Sequence, residues 1–80
     1  MPEEYLRYSR LTGKKYNVFD CIKIFNLDQS IAYMNNGVMP VDIKIAKGRT
    51  DRPVLVFYFV KDETKDVYER WVNHELEVIL

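Results

Sequence analysis

Cysteine occurs once in the 80 residues, at Cys21, so no disulfide can form within the chain and a disulfide-stapled secreted scaffold is excluded. A reducing, cytoplasmic setting is the corresponding expectation. The start of the chain, Met1-Pro2-Glu3-Glu4, has neither the basic residues nor the apolar run of a signal peptide. The longest apolar run, Val54 to Val60, is far shorter than the roughly 18 residues of a membrane span. Histidine also occurs once, at His74, which leaves no second imidazole for a metal pair or a proton relay. Net charge is absent as well: 12 Lys+Arg stand against 12 Asp+Glu. That balance argues against indiscriminate coating of duplex nucleic acid or of an anionic membrane.

What the chain has is apolar and aromatic side chains, 48% and 14% of its residues. A chain of this length buries only about 60% of its unfolded surface, so large rings do much of the stabilising. Residues 1–80 read as a single α+β domain. Val18 to Leu27 is dense in β-branched and aromatic residues and reads as a strand. Asp28 is a candidate N-cap and Asn36-Gly37 a left-handed stop, which brackets a short helix with Ile31, Ala32 and Met34 inward. Val41, Ile43 and Ile45 alternate with Asp42, Lys44 and Ala46, the pattern of an edge strand wet on one face. Lys47 to Arg52 is a polar reversal into Pro53–Val60, a strand apolar on both faces. Asp62-Glu63-Thr64 starts a second helix that carries Val67, Tyr68, Trp71 and Val72, and Leu76, Val78 and Leu80 alternate as a closing strand.

The order β-α-β-β-α-β is that of a ferredoxin-like two-layer sandwich, an antiparallel sheet with both helices on one face. It places the strands at 18–27 and 53–60 in the centre and the other two at the edges. Residues 1–15 form an N-terminal arm or an extra strand. Tyr5 to Lys15 reads as a hairpin turning back through Leu11-Thr12-Gly13-Lys14, or as an arm across the open sheet face. If it pairs beside the strand at 18–27, it competes with the closing strand for one edge.

Catalysis needs convergent groups, and the sequence offers none: Cys21 reads as a buried strand thiol and His74 as a helix-end cation. No catalytic residue, metal ligand, cofactor or small-molecule substrate is expected. Thr12-Gly13-Lys14-Lys15 lacks the first glycine, the strand and the helix of a phosphate loop, and reads as a basic turn. Charge is segregated. Arg7, Arg10, Lys14 and Lys15 have no acid among them, and Lys47, Arg49 and Arg52 add to the basic side against Asp51. Asp62, Glu63, Asp66, Glu69, Glu75 and Glu77 cluster near the second helix.

Two functions fit. The first is a non-enzymatic module that binds itself, as a homodimer, or another protein through an aromatic sheet face or edge, with Phe19, Phe25, Phe57, Tyr58 and Phe59 as anchors. The alternative is a single-strand nucleic-acid binder in which the seven named cations meet phosphates and Tyr5, Tyr8 or Tyr16 stacks on bases. The strand at 53–60 argues against the latter, having valine and no glycine where stacking rings are expected.

Asn26-Leu27-Asp28-Gln29-Ser30-Ile31-Ala32-Tyr33-Met34-Asn35-Asn36-Gly37, then Val56-Phe57-Tyr58-Phe59, then Val67-Tyr68-Glu69-Arg70-Trp71-Val72-Asn73, resembles a family of small uncharacterised bacterial and phage domains. Those share a Gly-ended short helix, an aromatic strand and a Trp-containing helix. The resemblance spans residues 18–78 and implies a non-enzymatic protein of a phage or mobile element, for instance a phage-encoded inhibitor of a host protein. It assigns no functional residues.

Overall fold

A computed structural model describes residues 5–76. Leu6–Tyr8 (β1) pairs antiparallel with Lys15–Asn17 (β2) as a hairpin with its own two-stranded sheet. Its turn closes through the Ser9 amide on the Lys14 carbonyl (2.9 Å) and the Gly13 amide on the Ser9 carbonyl (2.9 Å). Gly13 has φ +72°, a conformation in which a side chain would be strained. This hairpin is the basic turn of the sequence, and it pairs beside no strand of the larger sheet.

The strand expected over residues 18–27 is shorter, Cys21–Ile24 (β3). At its start the Asn17 side chain accepts from the Phe19 amide (2.9 Å) and caps a 3-10 turn over Val18–Asp20. At its end Asn26 turns the chain into helix Leu27–Asn35 (α1), its side chain accepting from the Gln29 amide (3.2 Å). Asn26 is therefore the cap, and Asp28 lies in the first turn beside the positive end of the dipole. The helix stops as its sequence predicts, with Gly37 at φ +84° and the Val38 amide on the Tyr33 carbonyl (3.0 Å).

Asp42–Lys47 (β4) and Pro53–Val60 (β5) form the next hairpin, and helix Lys61–Val72 (α2) follows directly. No side chain caps α2; Asp62 and Glu63 act only as first-turn charges, and Thr64 hydrogen-bonds back to the Lys61 carbonyl (2.8 Å). The larger sheet has the order β3-β5-β4, all antiparallel. β5 is central, as its two apolar faces require. Among the described residues β3 and β4 are both at edges; the closing strand expected beyond Leu76 lies outside them.

Both helices cover one face of this sheet. Cross-strand partners Ile22–Phe59, Ile24–Phe57 and Ile43–Phe57 bring these side chains together under Ala32 and Tyr33 of α1 and Val67 and Trp71 of α2. Tyr33, and not Ile31 or Met34, is the largest fully buried side chain of α1, beside Ala32. Gln29 donates to its hydroxyl (2.9 Å), which lets the ring sit edge-on to Phe59 with centroids 5.2 Å apart. Leu76 joins the same core. Tyr68 and Val72 of α2 are exposed.

No helix of the described residues is long and apolar enough to cross a membrane. Phe59→Ala should cost about 3–5 kcal/mol, the usual range for a fully buried ring. A domain of this size holds only about 4–12 kcal/mol in total. Urea titration followed by far-UV circular dichroism should therefore show the variant substantially unfolded at low denaturant.

Candidate interaction surfaces

The second face of the sheet carries Cys21 and Lys23 of β3, Asp42 and Lys44 of β4, and Val56 and Tyr58 of β5. Alternation made Asp42 a solvent-facing residue, yet it is 4% exposed. The β1–β2 hairpin lies over it. The Tyr16 hydroxyl donates to Asp42 Oδ2 at 2.5 Å, the Ser9 hydroxyl to Oδ1 at 3.1 Å, and the Ile43 amide to Oδ1 at 3.0 Å. Three donors on one buried carboxylate meet the requirement that a buried charge be hydrogen-bonded. Thr12 extends the seat, donating from its hydroxyl to the Val41 carbonyl (3.1 Å) and from its amide to Ser9 Oγ (3.2 Å). Tyr16 then lies beside Tyr58, ring centroids 6.0 Å apart. The N-terminal segment is a hairpin, but it turns back onto Lys15–Asn17 instead of onto the strand expected at 18–27, and it meets the second face at Val41, Asp42 and Tyr58.

Burial raises the Tyr16 hydroxyl well above the ordinary tyrosine range, reinforced by its hydrogen bond to Asp42 and by that carboxylate's charge. Cys21, at the rim of a cleft of about 490 Å³ between the hairpin and the start of α2, is raised first by burial and then by Asp20 and Glu63. It is held as a protonated thiol and is correspondingly unreactive. His74 lines a separate cleft with Trp71 and Leu76, so the structure does not bring it to Cys21. It occupies the left-handed position after α2, at φ +58°. Among the described residues no three His, Cys, Asp or Glu side chains are grouped so as to hold a metal ion.

The aromatic anchors separate. Phe57 and Phe59, 4% and 0% exposed, are core residues and present nothing to a partner. They are corrected from surface to interior because their face is the one under the helices. Tyr58 is half-buried on the second face, where the ammonium groups of Lys23 and Lys44 lie 5.8 and 5.9 Å from its ring centre. Phe19 and Phe25, 60% and 62% exposed, lie outside β3 in the flanking turns, and Phe19 packs edge-on against Tyr5.

The cations also separate. Arg7, Arg10, Lys14 and Lys15 belong to the N-terminal hairpin, whose turn is tied to Val41 and Asp42. Lys47, Arg49 and Arg52 lie at the opposite end of β4, about 17 Å away at the usual rise of a strand. All seven are exposed.

One feature escaped the sequence pattern. Ile45, expected in the core, is 74% exposed, and its cross-strand partner Leu55 is also exposed. They lie on the helix-side face one row beyond Ile43 and Phe57, past the reach of the helices. Phe25 and Leu27, both exposed, leave β3 and start α1 at this same end of the sheet. Periodicity identified which face these residues occupy but not where the helices stop covering it.

Comparison with protein families, with curated proteins and with solved structures finds no match to this chain.

Tyr16→Phe should cost about 1.5–3 kcal/mol, the value of a hydrogen bond to a charged group. Below about pH 10 an unfolded tyrosine keeps its proton, so the Tyr16 contribution is fully present. Above that, the unfolded chain loses the proton before the native one does, and stability falls as pH rises. Urea midpoints between pH 8 and 11 should decline in the parent protein and decline less in Tyr16→Phe.

Proposed function

We propose that this chain is a protein-interaction module that docks through the end of its sheet where Phe25, Leu27, Ile45 and Leu55 are exposed. The carrying observation is the Ile45–Leu55 pair: two large apolar side chains side by side, outside the core, with Lys47 on the next row of the same face and Arg49 and Arg52 in the turn that follows. Contiguous apolar surface with a polar rim is the usual composition of a docking site. The sheet face first considered for this role is covered by helices on one side and shared with the N-terminal hairpin on the other. Docking therefore moves to the sheet end and the adjoining β4 edge.

The ferredoxin-like arrangement belongs to the same proposal. Three antiparallel strands in the order β3-β5-β4, with both helices on one face, support it for three of its four strands; the expected fourth falls mostly on residues outside those described. A phage or mobile-element protein that inhibits a host protein is one instance of such a module, in keeping with the family resemblance.

Single-strand nucleic-acid binding is supported less well. Lys23 and Lys44 already lie over the Tyr58 ring, so a base must displace them to stack there, and the two basic groups are at opposite ends of β4.

The test is a comparison of the parent protein with Phe25→Ser/Ile45→Asp in affinity capture from the native host, with the mass of each captured species determined. Exposed substitutions of this kind change stability by about 0.5 kcal/mol each, so folding should be unaffected. The parent should retain a partner that the variant loses. Equal capture by both, or tight oligonucleotide binding at low salt that the variant retains, would contradict the proposal.

A further inference from the structure

The partner's chemistry can be read from β4, the outer strand beside this apolar end. Among the described residues its outer side pairs with nothing, and an unpaired strand edge is a template for another extended chain. The start of the edge is occupied: Thr12 takes the Val41 carbonyl and Asp42 takes the Ile43 amide. Beyond it, the amides and carbonyls of Ile45 and Lys47 face outward, because the Gly48 amide on the Arg52 carbonyl (2.8 Å) and the register make Lys44 and Ala46 the residues bonded to β5.

Side-chain direction along this edge follows from the register. Ile43, Ile45 and Lys47 point to the helix side, paired with Phe57, Leu55 and Pro53, while Lys44 and Ala46 point to the second face, paired with Val56 and Val54. The edge thus offers apolar contact on one face, a cation on the other and a second cation at its end. The only acid of the strand, Asp42, is buried and committed to Tyr16 and Ser9.

A second copy of this chain fits poorly. In an antiparallel self-pairing that keeps the helices on one side, one register sets Lys44 against Lys44, and the next brings the two Lys44 residues diagonally together. Like charges opposed across strands are destabilising. Edge lysines of this kind act against self-pairing.

We propose, building on the interaction reading above, that β4 receives an extended acidic segment of another protein. It adds as a strand whose alternate residues are apolar against Ile43 and Ile45 and acidic against Lys44, with Arg49 and Arg52 of the adjoining turn, set against Asp51, favouring the same sign of charge.

The probe is a capped, fluorescently labelled eight-residue peptide of alternating valine and glutamate with proline at each end, beside its lysine-for-glutamate counterpart. Binding is read by anisotropy at low and physiological salt, and the site by amide chemical shifts. The glutamate peptide should bind with shifts confined to β4 and its neighbours, and the lysine peptide should bind at least tenfold more weakly. Lys44→Glu should weaken the glutamate peptide about threefold or more and strengthen the lysine peptide, since a cross-strand charge pair contributes about that much. Equal binding of both peptides, with both lost in Ile45→Asp, would overturn the acidic partner and leave the docking surface standing. Binding of neither peptide would overturn strand addition, whereas the capture experiment tests the docking end itself. A dimer in sedimentation that Lys44→Glu does not alter would overturn the argument against self-pairing.

Discussion

The buried carboxylate of Asp42 determines what this molecule can show to its surroundings. A charge with so little exposure requires several donors, and it obtains them from three places: its own strand, a serine at the hairpin turn and a tyrosine on β2. The donors from the hairpin are what fix that hairpin against the sheet. Without them Tyr16, Ser9 and the carboxylate would all face water, and the second sheet face would be open along its length. Removing one partner of such a set leaves the others desolvated and unsatisfied, which is the more costly direction of change.

A partly covered second face changes the functional argument. A central strand apolar on both sides, in a chain with few residues to cover it, suggested a broad sticky face. The helices cover one side with Tyr33, Val67 and Trp71, and the hairpin takes part of the other. Exposed apolar surface remains at the end of the sheet, where Ile45 and Leu55 extend past both helices, and bonding capacity remains along β4. Charge then discriminates among partners. The β4 end carries Lys47, Arg49 and Arg52 against Asp51, α2 carries the exposed acids Asp62, Glu63, Asp66 and Glu69, and the α2 ion pairs Lys65–Asp62 (3.4 Å) and Arg70–Asp66 (3.9 Å) are at the surface, where such pairs contribute little.

Much of the fold was legible in the sequence because period and turn chemistry are local. The central placement of 53–60, the Asn36-Gly37 helix stop and the polar reversal at 47–52 all follow from neighbours within a few residues. The strand at 18–27 was overextended because Asn17 and Asn26 compete with it through side-chain hydrogen bonds to nearby amides, a preference that hydrophobic density does not reveal. Asp42 and Ile45 were assigned the wrong exposure for a different reason. Alternation specifies two faces, but whether a face is wet depends on residues far away in sequence: Ser9 and Tyr16 for Asp42, the helix ends for Ile45. The anchors Phe57 and Phe59 were misplaced by the same limit. Their shared face was clear, but which face the helices would take was not, since Val67 and Trp71 can pack on either side of a strand apolar on both.

The most direct measurement of the central claim is a solution nuclear Overhauser spectrum of the aromatic protons. With the hairpin seated on Asp42, the Tyr16 ring should show cross-peaks to Tyr58, their centroids being 6.0 Å apart, and the Tyr16 hydroxyl proton should exchange slowly enough to be observed. A Tyr16 ring with no cross-peak to Tyr58, beside intact cross-peaks between Tyr33 and Phe59, would show the hairpin detached and the second face open, contrary to this account.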